Sequence, residues 1–464
     1  MPRPGSGSPA AAAVARAPAV PLGEALVEQA KLGGQVGFLV VDAGTGTVLE
    51  SFGAETPLPP ASTAKAITSL YALERLGPGH RFVTRLIATG PVTGGRLDGD
   101  LVLTGTGDPT VTTDTLADMA AALRVRGVRA VSGRFLVDEG ALPSLRQIDP
   151  GQPDYVGYNP AISGMNLNFN RVNFEWRRGS KGWDVQMDAR SDRFVPLVSM
   201  ARMKVVNREL PVYTFDEAGG VETWTVASRA LGKGGSRWLP VRQPGAYAGD
   251  VFRTLARAQG IEMPEPTMVR GAPGGTVLAE VPSAALTAVL QDMLKHSTNL
   301  TAEVVGLTAS GDAHSLEDSA RRMSEWAARR YGRAGRFVDH SGLGAGSRVA
   351  PADMVTALVA ARGGPLRGLL KPFSLRDMQG QEIKGSPVKV AAKTGTLNFV
   401  SGLVGYVTPP GGRDMAFAIL AADPARRDAV PMADREQPPG GTEWLRRARR
   451  MQGQLLGRWA AVYG

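Results

Sequence analysis

Apolar positions follow two different spacings along this 464-residue chain, and the change from one to the other divides it. Gln35-Val-Gly-Phe-Leu-Val-Val-Asp42 and Thr47-Val-Leu-Glu-Ser-Phe52 flank the turn Ala43-Gly44-Thr45-Gly46, which predicts two strands. Pro57 to Pro60 interrupt the pattern. Beyond them Ile67, Leu70, Leu73 and Leu76 recur three apart, predicting a helix from Ser62 to Leu76 that Gly77-Pro78 stop. Helical periodicity returns at Pro282 to Leu294, Ala302 to Leu307, Asp318 to Tyr331 and Pro351 to Ala361. Val388 to Ala392, Phe399 to Val407 and Met415 to Ala421 are sheet-like and separated by short turns, which predicts an antiparallel meander. A last helix, Thr442 to Tyr463, sets Trp444, Leu445, Met451, Leu455 and Trp459 against a face of arginines. Such a basic amphipathic helix can lie on a membrane; packing on the sheet is the favoured reading.

The intervening two hundred residues have another character. Phe82 to Thr89, Asp100 to Thr104 and Val131 to Val137 predict strands, with a helix around Asp114 to Arg126. Between 172 and 241, strand-like runs carrying Trp176, Trp183, Trp224 and Trp238 alternate with glycine and charged turns. The expectation is an α+β protein in which residues 1–78 and 276–464 form one discontinuous domain, with 1–33 flexible. Residues 79–275 are then inserted, with a smaller β insertion at about 172–241. A chain of this length exceeds what one core supports.

Composition narrows the classes. The formal charge is +10, but ten of the 53 basic residues are lysines and the arginines are dispersed among carboxylates. With 6% aromatic residues there is no stacking platform for single strands, so no nucleic-acid partner is expected; attraction to an acidic polymer such as cell wall accounts for the charge. Cysteine is absent, which excludes disulfides and a thiol nucleophile. The four histidines, at 80, 296, 314 and 340, show no paired metal spacing, so neither a metal nor another cofactor is expected. Nothing approaches the roughly 20 apolar residues of a transmembrane segment. Ala10 to Ala15 is shorter than a signal h-region, while Ala15-Arg16-Ala17 has the small residues of a cleavage region; the expectation is a truncated or misplaced start.

Three short motifs carry chemistry. Ser62-Thr63-Ala64-Lys65 sits at a predicted helix start, where positions three apart share a face and an amine can approach a hydroxyl. Unpaired N–H groups and a positive potential at that terminus favour an alkoxide and a neutral lysine together. By itself such a serine reads as an N-cap. A second S-x-x-K, Ser386 to Lys389, enters a strand, where residues three apart point to opposite faces. Ser297-Thr298-Asn299 lies between two helical stretches and alone reads as a cap or turn. Lys393-Thr394-Gly395-Thr396 puts a lysine on an apolar strand, costly to bury unless paired or used, and Gly395 leaves space for a substrate backbone. Each motif falls on the element its chemistry requires. Together S-x-x-K, S-x-N and K-T-G are the signature of penicillin-recognising serine acyl transferases.

From about Gly34 to Ala422 the chain resembles the D-alanyl-D-alanine carboxypeptidase/endopeptidase family, the low-molecular-mass class C penicillin-binding proteins. The resemblance includes Gly99-Asp-Leu-Val-Leu-Thr-Gly-Thr-Gly-Asp-Pro-Thr110, Tyr158-Asn-Pro-Ala-Ile-Ser163, Ser297-Thr-Asn-Leu-Thr-Ala-Glu303, Asp339-His-Ser-Gly-Leu343 and Lys393-Thr-Gly-Thr-Leu397. It implies a β-lactamase/transpeptidase-like domain, an antiparallel sheet flanked by helices, with one or two nested insertions. It also implies a periplasmic enzyme acting on peptidoglycan stem peptides and acylated by β-lactams. Ser62 would be the nucleophile and Lys65 its base. Ser297 would relay the proton to the leaving D-alanine, Asn299 would hold the substrate amide and Lys65, and Lys393 would bind Ser297. Thr394 and Thr396 would hold the terminal carboxylate, and the N–H groups of Ser62 and Thr396 would form the oxyanion hole. Asp154 and Tyr158 stand near where the family reads the diaminoacid side chain. Thr298 and His340 depart from the usual aspartate and glycine. The alternatives are a serine β-lactamase, for which the E-x-x-L-N loop of class A enzymes is missing, and a non-catalytic cell-wall-binding protein, against which the intact motifs argue.

Overall fold

The computed structural model describes residues 20–333, 335–375 and 381–464; the alanine-rich stretch 10–17 lies outside them. The three C-terminal apolar segments form the strands Lys389–Leu397, Val400–Thr408 and Met415–Ala422, paired antiparallel in chain order. Gln35–Asp42 then adds alongside Met415–Ala422, with Gln35 opposite Ala422 and Asp42 opposite Met415, and Val48–Phe52 follows it. Lys371–Pro372 completes the far edge of this six-stranded antiparallel sheet. Segments 35–52 and 371–422, far apart in the chain, thus share one sheet.

Side-chain alternation explains why these strands are apolar on both faces. Leu39, Val41, Val404 and Leu420 enter a core with the helices Ala64–Leu76, Asn299–Ala309, Leu316–Tyr331 and Pro351–Ala360. Their neighbours Phe38, Val40, Leu403 and Ile419 point the other way, against the helix Gly441–Tyr463. That last helix does pack on the sheet. Trp444 and Trp459 are fully buried, and their indole N–H groups donate to Leu32 O and Glu50 Oε2 at 2.7 and 3.0 Å. No helix among the described residues is long and apolar enough to cross a membrane.

Between these halves, a five-stranded mixed sheet runs in the order Pro266–Val269, Phe135–Asp138, Leu101–Gly105, Val83–Ala88, Thr276–Pro282. The tryptophan-rich stretch forms six strands, from Arg171–Gly179 to Gly234–Pro240, in two three-stranded sheets. Its Phe174 and Trp224 share one apolar cluster with Leu101 and Phe252 of the surrounding part.

Several boundaries differ from expectation for identifiable reasons. The predicted strand 131–137 is two, Ala130–Val131 and Phe135–Asp138, in different sheets. The chain turns at Gly133, where a Cβ would lie 2.5 Å from the Gly99 backbone. The helix expected from Pro282 starts at Leu286, because Pro282 is still paired opposite Val83. Among the described residues, two helices of eight residues or more stand outside the pattern read above, besides the short Leu366–Leu369 and Pro424–Asp428. Pro244–Ala258 has proline at its first position, a favoured start. Gly23–Ala30, inside the segment expected to be flexible, buries Leu26 against the C-terminal helix core.

Candidate active site

The chain leaves the proline break through Ala61, at φ 46°, and winds through the 3₁₀ turn Ala61–Thr63 into the helix Ala64–Leu76. This places Ser62 and Lys65 on one face, with Lys65 Nζ 2.9 Å from Ser62 Oγ. Lys65 is fully buried. Its amine also donates to Asn299 Oδ1 and to the Ser341 carbonyl, both at 2.8 Å, so three acceptors match its three donors. Burial pushes its pKa down to about 8, against the opposing pull of the buried carboxylates Glu303 and Asp339.

Ser297 occupies the left-handed region, φ 58°, at the junction of the helices Leu286–His296 and Asn299–Ala309. Strain of this kind in a residue other than glycine costs about 1–3 kcal/mol and is typical of functional sites. The junction turns Ser297 toward the sheet, where its Oγ accepts from Lys393 Nζ at 3.0 Å. Lys393 is buried on the strand Lys389–Leu397 and also donates to Thr394 O at 2.7 Å. Burial, with the cations Lys65 and Lys371 nearby, holds its pKa well below that of free lysine. Asn299 meanwhile donates from Nδ2 to the Tyr158 carbonyl at 2.9 Å, tying the intervening segment to the S-x-N motif.

Two glycines let these elements meet. A Cβ on Gly395 would lie 2.8 Å from Pro60 O, 3.0 Å from Thr63 N and 3.1 Å from the Ala61 Cβ. The side of Gly395 on which a Cβ would stand therefore faces the nucleophile turn, whereas the expectation was space for a substrate backbone. A Cβ on Gly342, at φ +77°, would sit 1.9 Å from Ala61 O, so the Asp339–Leu343 block presses on the same turn.

These residues open on a cleft of about 630 Å³ lined by Ser62, Ser297, Asn299, Tyr158 and Thr396, with Asp149 and Arg427 at its side. Thr394 is exposed on the same strand and is not among the lining residues. Asp154 is not brought to the cleft. It is exposed, and its main-chain oxygen accepts from the buried Arg242 at 2.6 Å. From this segment the carboxylate at the cleft is Asp149, whose Oδ1 accepts from Gly151 N and whose Oδ2 accepts from Gln152 Nε2; Asp428 and Glu436 line the cleft as well. This turn separates the two aspartates. Tyr158 donates to Gln152 Oε1 at 3.2 Å, and burial pushes its hydroxyl up to about 12.

Glu303 and Asp339 were not assigned roles from the sequence, though both stand in blocks that carry the resemblance. Each is buried behind Lys65. His340, in the usual glycine position, is accommodated because Gly306 leaves room for its ring, and its Nε2 lies 2.7 Å from Ser319 Oγ. The arrangement pairs a hydroxyl with a depressed-pKa amine, and a second hydroxyl with a second amine, at one cleft. That is the equipment for activating a nucleophile and carrying its proton across to a leaving group.

Similarity to known proteins agrees with this chemistry. The chain is 28% identical to a D-alanyl-D-alanine carboxypeptidase of Actinomadura sp. (strain R39), over 94% of this chain and 88% of that protein. It is 25% identical to the D-alanyl-D-alanine carboxypeptidase DacB of Haemophilus influenzae, over 84% and 86%. The fold superposes on the crystal structure of penicillin binding protein 4 of Haemophilus influenzae with a TM-score of 0.73, 21% identity and coverage of 94% and 99%. The profile of the D-Ala-D-Ala carboxypeptidase 3 (S13) family matches residues 22–438. The chain belongs to that family.

Proposed function

We propose that the cleft hydrolyses the terminal D-alanyl-D-alanine bond of peptidoglycan stem peptides through an acyl-enzyme on Ser62. The observation that carries this is the Lys65 Nζ to Ser62 Oγ separation of 2.9 Å, in a site where burial brings the Lys65 pKa down to about 8, so that the amine can lose its proton near neutral pH and serve as a base. Ser62 Oγ attacks the penultimate D-alanine carbonyl as its proton passes to Lys65 Nζ. The developing oxyanion lies at the N–H groups of Ser62 and Thr396, each such donor worth about 10²–10³ in rate. Collapse breaks the C–N bond, and Ser297, polarised by Lys393, passes a proton to the departing D-alanine nitrogen. Water then hydrolyses the ester and restores Ser62.

Thr396, on the cleft wall, holds the terminal carboxylate, with Thr394 contributing from the strand edge. A β-lactam follows the same first step, but its ring keeps the leaving nitrogen attached and the ester persists. Endopeptidase action on cross-links uses the same acylation with a larger leaving group. In this reading residues 1–78 and 276–464 are the catalytic unit, and the inserted 79–275 supplies Asp149 and Tyr158 to read the stem-peptide side chain. The substrate lies outside the cytoplasm, and the periplasm is the compartment we assign.

Incubating the purified protein with a stem pentapeptide ending in D-Ala-D-Ala tests this. Release of one D-alanine per peptide is expected. An intact pentapeptide under conditions where the protein is folded would refute it.

A further inference from the structure

Behind Lys65 lies a group that the reaction above does not use. Glu303 is fully buried on the helix Asn299–Ala309. Its Oε2 accepts from His340 N at 2.8 Å and its Oε1 from Ser341 N at 2.9 Å, so one carboxylate grips two consecutive amides. The carbonyl of that same Ser341 accepts from Lys65 Nζ. Asp339, just before, is held by Gly342 N at 2.7 Å and Gly344 N. The loop that gives the base its third acceptor is therefore clamped by two buried carboxylates. Both oxygens of Glu303 receive donors, the pattern of an ionised carboxylate.

We propose that Glu303 is a positioning residue for the general base: it fixes the His340–Ser341 peptide that aims a carbonyl at Lys65 Nζ, and its negative charge balances the Lys65 ammonium. The inference rests on the proposed function. Charged and titratable groups surround the base from every side. Glu303 comes from the helix Asn299–Ala309, Asp339 and the neutral His340 from the loop, Lys393 from the sheet with Lys371 beyond it, and Asp149 from the segment across the cleft. Burial and the neighbouring Asp339 push Glu303 up to about 8, against hydrogen bonds from Ser341 and the His340 amide and the charge of Lys65, which pull it down; an anion here depends on those three. The attraction is reciprocal, and Glu303 raises Lys65.

The test is the pH profile of acylation by a fluorescent penicillin. Removing the charge in Glu303→Gln lowers the Lys65 pKa, so the acid limb should move down by about one pH unit. At pH 6 the variant should then keep an about tenfold larger share of its own plateau rate than the native enzyme keeps. The plateau should fall by about tenfold or more, because the amide must turn an N–H against one of two N–H donors and the loop shifts. Glu303→Asp, which keeps the charge but retracts it, should leave the limb in place and lower only the plateau. A Glu303→Gln enzyme whose limb coincides with the native one overturns the proposal. Should that variant not fold, a Glu303→Asp enzyme with the native plateau overturns it equally. Failure of the proposed function looks different: the native enzyme itself then takes no label at any pH.

Discussion

Gly395→Ala distinguishes two accounts of the K-T-G strand. If Gly395 makes room for substrate, an added methyl affects long peptides and spares small β-lactams. If it makes room for the nucleophile turn, as its contacts with Pro60, Ala61 and Thr63 indicate, every acylation suffers. The new Cβ would stand 2.8 Å from Pro60 O and 3.0 Å from Thr63 N, both backbone atoms that cannot rotate away. Relief to an ordinary contact near 3.4 Å requires the turn and strand to part by 0.4 to 0.6 Å. Overpacking of this kind costs about 1–3 kcal/mol. Since a 1 Å displacement at a catalytic constellation costs about 10²-fold, roughly half that shift should cost about tenfold. Second-order acylation rates should be measured with a penicillin and with a stem pentapeptide, alongside thermal melts. Both rates should fall by about the same factor and the melting temperature should drop. Gly363→Ala, where a Cβ meets nothing within 4 Å, is the control. A Gly395→Ala enzyme that acylates with penicillin at the native rate while losing only peptide turnover would refute the packing account.

Lys65→Arg should be nearly inactive in penicillin acylation although it keeps the charge, because a guanidinium does not deprotonate; substantial labelling of that variant would assign the base elsewhere. Thr396→Val should lose about ten- to a hundredfold in kcat/KM on peptides ending in a free carboxylate, from about 1.5–3 kcal/mol of charged hydrogen bonding, and little on the C-terminal amides. Thr394→Val, lying off the cleft wall, should lose less, and equal losses in the two variants would refute that ordering. His340 is buried, which pushes its pKa down to about 3. Above pH 6.5 the ring is neutral in folded and unfolded chains alike. Between 6.5 and about 3 only the unfolded chain binds the proton, so stability falls by about 1.4 kcal/mol per pH unit. His340→Gln should flatten this part of the urea-denaturation profile against pH, and an unchanged slope would show that other groups carry the acid sensitivity.

What the sequence made legible follows from periodicity and chemistry. The meander and the C-terminal helix were readable because alternation at Phe38 to Val41 and the tryptophans at 444 and 459 encode which face meets which layer. The three motifs were readable because serine and lysine three apart on a helix can hardly avoid one another. Contacts between distant backbones were not. Nothing local reveals that Gly395 abuts Pro60, or that Glu303 grips the amides of residues 340 and 341. Asp154 and Asp149 were indistinguishable by type, and a single turn at Gly151 decides which one reaches the cleft. The helix Pro244–Ala258 was missed although both its proline start and its one-sided apolar stripe are recognised signals.

The central claim is that Ser62 is the acylated nucleophile. Incubating the native protein with a penicillin, digesting it and locating the adduct by mass spectrometry tests that claim most directly. One penicilloyl group is expected on the peptide that contains Ser62, with none on any peptide of Ser62→Ala. A folded native protein that carries no adduct, or an alanine variant that is still fully labelled, would contradict the account.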